Sequence, residues 1–268
     1  RAPRFLRSRR GKTVRRDAQS GDPELPFLDE KALRALFRTA LDASGLEAAL
    51  PPESAAMLSV TGPERLGMFL RAQPEQTEVL SLEEETIEIR VGGRIRRLTG
   101  NLDRVDWREQ EDPEGAIDEG AVILDYKTGR IKALRPDIWA DDAFWDALDP
   151  EKAAEAASEP DPEHDFLPIM AQRIPTVQLL YYCYLYGQAT GKPVLDAAFV
   201  ALGEDGGERP LFGKGMTIEE RERALSLIPR LIGFILLHME LCPEFRPREG
   251  AHCRWCSWRN VCIISSQQ

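Results

Sequence analysis

Two short segments carry residues that could do hydrolytic chemistry: Gly100-Asn101-Leu102-Asp103-Arg104-Val105-Asp106 and Ile123-Leu124-Asp125-Tyr126-Lys127-Thr128-Gly129. In an extended strand, side chains two apart share a face, so Asp125 and Lys127 point one way and Tyr126 the other. If the two segments are hairpin neighbours, Asp103 reaches the same patch. Two carboxylates offer hard oxygen ligands for Mg²⁺ or Mn²⁺. A metal held there polarises a phosphate and lowers the pKa of a bound water. A lysine beside it orients that water or meets the charge that builds on the phosphate oxygens. Phosphodiester hydrolysis is the reaction such a patch suits. The bland alternative is an exposed cross-strand salt bridge, worth at most about 1 kcal/mol. For an isolated Asp-x-Lys that alternative wins. It loses ground here because Gly-x-x-Asp-Arg-x-Asp lies upstream, Thr-Gly follows, and the apolar run Val122-Ile123-Leu124 has no folding reason to carry an Asp and a Lys on one face.

The elements that must position these residues follow from periodicity. Residues 27–72 read as helical, from Leu33, Leu36, Phe37 and Leu41 and then Leu66, Met68, Phe69 and Leu70, with Pro51-Pro52 breaking the run. Ile87, Ile89 and Val91 then alternate with charged residues, Gly92-Gly93 signals a hairpin turn, and Ile95, Leu98 and Gly100–Trp107 continue as strand. Glu109 to Gly120 reads as an acidic, turn-rich loop, and Ala121–Lys127 as a strand. Residues 133–170 read as an insertion, partly helical and partly loose. A helix is expected from about Thr176 to Gln188, a strand over Val194–Leu202, and a long helix over Thr217–Leu241 with a Thr217/Glu220 capping box and a possible kink at Pro229. This order predicts an α/β or α+β core with a mixed central β-sheet flanked by helices. We divide it into a basic segment 1–26, a core 27–252 carrying the insertion, and a cysteine-bearing tail 253–268.

Bulk composition narrows the function classes. The net charge of -10 argues against a generally basic nucleic-acid coat, although Arg1, Arg4, Arg7, Arg9, Arg10, Lys12, Arg15 and Arg16 open the chain with no acid among them. That stretch either lies along phosphates or is a solvated terminus. No run of eighteen apolar residues occurs, which argues against a membrane-spanning helix. The basic start has no apolar core after it, so no secretory signal is expected. The chain begins with Arg1 rather than Met, which suggests a piece of something longer. Three of the five cysteines, Cys253, Cys256 and Cys262, form C-x2-C-x5-C. Such clustering favours a metal or cluster site in a reducing cytoplasm over a disulfide framework. Structural zinc and plain buried thiols are the other readings.

Together, GNLDRVD and ILDYKTG resemble the second and third motifs of RecB-like and AddB-like nuclease domains in the PD-(D/E)xK superfamily. The resemblance spans roughly residues 60 to 262. It implies a restriction-endonuclease-like core. It also implies that Asp103, Asp125 and the backbone carbonyl of Tyr126 bind Mg²⁺ or Mn²⁺, that Lys127 is catalytic, and that Asp106 orders the site from behind. Gln178-Leu179-Leu180-Tyr181-Tyr182 matches the family's Q-x-x-x-Y, implying that Gln178 and Tyr182 help hold the site and the DNA strand; they stack on one helix face. The cysteine spacing resembles the C-terminal iron–sulfur staple of AddB-type nucleases, implying a [4Fe–4S] cluster on Cys253, Cys256 and Cys262. Its fourth ligand is unassigned: Ala2 stands where that family has Cys, and Cys242 or an external ligand could substitute. A further departure is the family's early Gly-x-x-x-His, for which Gly11–Arg15 offers Arg in the His place.

The expected function is therefore a metal-dependent deoxyribonuclease, exonuclease by preference, working on DNA within a helicase–nuclease repair machine. No Walker A motif occurs, so any motor lies elsewhere. The rivals are a catalytically degenerate DNA-binding or scaffold module, which the missing His favours, and a zinc-ribbon interaction protein with a fortuitous Asp-x-Lys.

Overall fold

Apolar residues recur at helical spacing as far as Ala72 and at alternate positions beyond it, and the elements change with that period. The computed structural model describes residues 13–15, 30–73, 76–81, 84–91, 94–132, 134–149, 166–213, 215–241, 253–254 and 256–258. Along the chain come β1 (Thr13–Arg15), α1 (Glu30–Ser44), α2 (Leu46–Ala49), α3 (Pro52–Ala72), β2 (Gln76–Ser81), β3 (Glu84–Val91), β4 (Arg94–Asn101), β5 (Arg104–Glu111) and β6 (Ile117–Lys127). A 3-10 turn (Pro136–Ala140), α4 (Asp142–Ala147), α5 (Leu167–Arg173), α6 (Gln178–Thr190), β7 (Val194–Ala201), β8 (Glu208–Pro210) and α7 (Ile218–Leu241) follow.

The main sheet has the order β1-β2-β5-β6-β7-β8, and β3-β4 form a separate ribbon. All neighbouring pairs run antiparallel except β6 and β7, which are parallel. This is the mixed sheet flanked by helices that the sequence led us to expect. Its centre is β6, whose side chains alternate between two apolar clusters. Ala121 and Ile123 join the larger one with α4, α6 and α7; Val122, Leu124 and Tyr126 join the smaller one with Phe69, Leu66 and Leu70 of α3. Both faces of β6 are thus covered, as a central strand requires. The expected capping box is present: Glu220 N donates to Thr217 Oγ1 at 3.2 Å, and Thr217 N donates to Glu220 Oε2 at 2.9 Å. Asp196 in β7 is 6% exposed and its Oδ1 accepts from the backbone N–H groups of Ala197, Leu211 and Phe212. Burial pushes its carboxyl up to about 6 against the pull of those donors.

Several boundaries differ from the expectation. Gly100–Trp107 is not one strand: β4 ends at Asn101 and β5 starts at Arg104, because the chain changes sheets at Leu102-Asp103. Glu109–Gly120 is mostly strand, and only Asp112–Ala116 turns. Asp112 Oδ1 accepts from Glu114 N and Ala116 N, and Gly115 takes a φ of 83°, so charge at the strand ends misled the reading. Within 133–170 the expected helical part is present, and it is packed: Trp139 and Trp145 stack at 5.6 Å, and Ile138, Phe144 and Leu148 are buried in the larger cluster. Residues 150–165 lie outside the described residues, as do Gly92-Gly93, most of the basic segment, Cys242 and Cys262. β1, β2 and β8 were not anticipated, being short or lacking clear alternation.

Candidate active site

The β5–β6 hairpin sets Arg104 opposite Leu124 and Val105 opposite Ile123, so Asp103 lies level with the end of β6. There its Oδ2 accepts a hydrogen bond from Tyr126 N at 2.9 Å, which ties the first carboxylate to the backbone between Asp125 and Lys127. Asp125 and Lys127 continue the face of Ala121 and Ile123, toward α6. Lys127 Nζ lies 2.7 Å from Asp125 Oδ2 and donates to Gln178 Oε1 at 2.7 Å. Gln178 Nε2 donates to Asp125 Oδ1 at 2.7 Å and to the Tyr182 hydroxyl at 3.1 Å. Gln178 opens α6 and Tyr182 sits one turn later, the i,i+4 spacing that stacks them. The structure therefore brings Asp103, Asp125, Lys127, Gln178 and Tyr182 together, around the peptide unit of Tyr126.

Asp125 is 4% exposed. Burial holds its carboxyl above the usual carboxylate range; Lys127 pulls it back down, and the Asp103 charge pushes it up again. Lys127 Nζ also lies 5.1 Å from the Phe199 ring centroid, an apolar wall that limits where the ammonium can go. The donor set is chemically that of a hard divalent cation: a carboxylate and a backbone carbonyl on the end of β6, and a second carboxylate from just ahead of its neighbour β5. Among the described residues no group of three His, Cys, Asp or Glu side chains converges.

One expectation is made specific and a second is corrected. Asp106 stands behind the site, not in it. It points to the opposite face of the sheet, where Arg104 Nε and Nη2 donate to its two oxygens at 2.6 and 2.7 Å and Arg108 Nη2 donates at 2.8 Å. Strand parity requires this, since Asp106 pairs with Val122 and not with Ile123. Arg15 does not stand where an early metal-ligating histidine would. Its strand β1 is separated from β5 by β2, and its partner Gln76 lies two residues beyond the Glu78–Trp107 pair, toward the far end of β5. Two strand spacings and about six residues of rise put it roughly 20 Å or more from Asp103. Sequence reading missed Gly67-Met68-Phe69-Leu70-Arg71, which has the same Gly-x-x-x-Arg shape and lies in α3. That end of α3 packs behind the site, on the other face of β6: the Phe69 ring meets Tyr126 at 5.6 Å and Gln73 accepts from Arg104 at 2.6 Å. The signal that could have found it was its place in a helical run.

Sequence reading also passed over Gly100. A Cβ there would lie 2.4 Å from Leu185 Cδ2 and 3.3 Å from Tyr182 Cε1, so only glycine lets α6 approach β4 this closely. The Tyr181 hydroxyl closes the contact by donating to Thr99 O at 2.7 Å. Of the cysteine motif, Cys253 and Cys256 occupy one short turn, with Cys256 N donating to Cys253 O at 3.4 Å.

A mixed sheet flanked by helices, with Asp-x-Lys at the end of a central strand and a carboxylate from its hairpin neighbour, defines a nuclease-type core. The chain matches the family model described as the PD-(D/E)XK nuclease superfamily over residues 12–263, and it belongs to that superfamily. Nucleases of this superfamily generally use divalent metals such as Mg²⁺. No curated protein matches the chain. One solved structure, "Crystal structure of SSO0001", is similar at 14% identity, covering 88% of this chain and 84% of that one, with a TM-score of 0.31, too distant to carry an argument. No helix among the described residues is long and apolar enough to cross a membrane.

Proposed function

We propose that this chain is a divalent-metal-dependent deoxyribonuclease of the RecB-like branch, cleaving DNA ends as the nuclease part of a helicase–nuclease repair machine. The observation that carries the reading is the hydrogen-bonded set Asp125–Lys127–Gln178–Tyr182 with Asp103 on the Tyr126 N–H. Asp103, Asp125 and the Tyr126 carbonyl would hold Mg²⁺ or Mn²⁺. When bound, the ion supplies Lewis acidity toward the scissile phosphate and a more acidic water. Lys127 Nζ lies in direct contact with Asp125 of this carboxylate pair. It would hold the attacking water or neutralise the phosphate oxygens as the water oxygen bonds to phosphorus and the P–O bond to the leaving strand breaks. Gln178 keeps Lys127 and Asp125 in register, and Tyr182 keeps Gln178 in place.

Asp125→Ala and Lys127→Ala should each abolish Mg²⁺- or Mn²⁺-dependent cleavage of labelled linear DNA while circular dichroism stays unchanged. Wild-type rates in both variants would sink the assignment. A second reading, a catalytically degenerate DNA-binding module, is favoured by the missing early histidine of the family's pattern: His164, His238 and His252 all lie downstream of Lys127. That reading expects DNA binding with no metal-dependent cleavage by the wild type.

We propose separately that Cys253, Cys256 and Cys262 hold a structural [4Fe–4S] cluster, the support being the C-x2-C-x5-C spacing and the shared turn of the first two thiols. Anaerobically purified protein should carry iron and acid-labile sulfide. One equivalent of zinc without iron would remove the cluster and leave the nuclease reading standing.

A further inference from the structure

The chain leaving Lys127 carries a feature that hydrolysis does not use. Lys127 O accepts from Gly203 N at 3.2 Å, and a Cβ on Gly203 would fall 2.2 Å from Thr128 O, so the exit from β6 is pressed against the turn after β7. Beyond it, Ile131 and Leu134 pack against the larger apolar cluster, the same side of the sheet as Asp125 and Lys127, and Ile138 and Trp139 are buried just after. These apolar anchors leave Arg130, Lys132 and Arg135 on the outside, all exposed. Arg135 pairs with exposed Asp137 at 3.3 Å, whereas Arg130 and Lys132 make no ion pair with any described residue. In a chain of net charge -10, Arg130 and Lys132 are thus two exposed cations with no ion-pair partner among the described residues, anchored three and five residues past Lys127 at the exit of the strand that carries Asp125.

We infer that the 128–135 segment is a phosphate track, in which Arg130 and Lys132 bind the DNA backbone beside the scissile bond and lead the strand to Lys127. This inference rests on the nucleic-acid reading above and adds the surface that holds the strand. Contacts of this kind carry no sequence information, so they suit an enzyme that must process any DNA sequence. Each phosphate contact releases condensed counterion, so the two together should contribute about 1.8 to the slope of log affinity against log salt on duplex DNA.

The test is binding of fluorescein-labelled duplex to the full chain in chelator, titrated from low to high NaCl. Arg130→Ala/Lys132→Ala should lower the slope by about two and weaken binding roughly tenfold near 0.1 M salt. Arg130→Lys/Lys132→Arg should restore both, which a folding defect would not allow. Arg38→Ala/Lys192→Ala, which removes two exposed cations from α1 and from the loop ahead of β7, should leave the slope unchanged. An unaltered slope in the alanine pair, or an equal drop in the control pair, overturns the inference, as does a wild-type chain that binds no DNA. Because the readout is metal-free, a chain that shows the predicted slopes but cleaves nothing with Mg²⁺ or Mn²⁺ supports the track and sinks the nuclease reading alone.

Discussion

Lys127 has two oxygen partners, Asp125 Oδ2 and Gln178 Oε1, and both contacts are 2.7 Å. A divalent ion arriving at Asp125 competes with the ammonium for the same carboxylate, so the amide of Gln178 is what keeps Lys127 beside the site once the ion pair loosens. This gives a ranking. Gln178→Ala removes a partner from both Asp125 and Lys127 and should lower cleavage about 10- to 100-fold, the range found when groups supporting a metal ligand are lost. Tyr182→Phe removes only the 3.1 Å hydroxyl contact to Gln178 and should cost less than Gln178→Ala. Cleavage kinetics of the two variants check the order; a larger loss for Tyr182→Phe would mean that the hydroxyl meets substrate. Residue types and strand parity made Asp125 and Lys127 legible in the sequence, and the resemblance to the family's Q-x-x-x-Y pointed to Gln178 and Tyr182. The hydrogen bond from Tyr126 N to Asp103 was not, because a backbone donor leaves no trace in residue type.

At the scale of elements, the site depends on how closely α6 lies against the β3–β4 ribbon and the sheet. Gly100 sets that approach, and a Cβ there meets the tip of Leu185, which is fully buried. Gly100→Ala should therefore destabilise the chain by about 1–3 kcal/mol, the usual cost of overpacking, and should reduce cleavage more than that loss explains, because displacing α6 moves Gln178 and Tyr182. Thermal unfolding and specific activity of the folded fraction separate the two effects; an unchanged melting temperature would show that Leu185 yields freely. Element types were readable wherever the apolar period was regular, as in α1, α3, β3, β6, β7 and α7. They failed where charge and structure conflict. At the acidic start of β6, Asp118 is offset by Arg221 of α7, a partner distant in sequence. β1 and β8, three residues each, are too short for any period to appear.

Across the whole molecule, the sheet's other face holds a buried ionic chain that joins three separate elements. Arg104 spans from Asp106 to Gln73 just after α3, and Arg108 spans from Asp106 to Glu208 of β8, with both Glu208 oxygens at 2.8 Å. Asp106 is 0% exposed and Arg104 1%. Removing one member of such a set strands charge in a low-dielectric interior, which costs about 3–5 kcal/mol, a large part of the roughly 5–15 kcal/mol that holds a domain folded. Asp106→Ala should consequently lower the melting temperature sharply. Asp106→Asn, which keeps one acceptor but turns an amide donor toward a guanidinium, should fall between it and the wild type. Urea unfolding of the three proteins measures this directly. The outcome also decides the role of the second Asp in Gly-x-x-Asp-Arg-x-Asp. If Asp106→Ala kept full stability and lost cleavage, the residue would belong to the site. With the expected result, its work is to tie α3, β5 and β8 into the rigid backing from which Asp103 and Asp125 project on the other side.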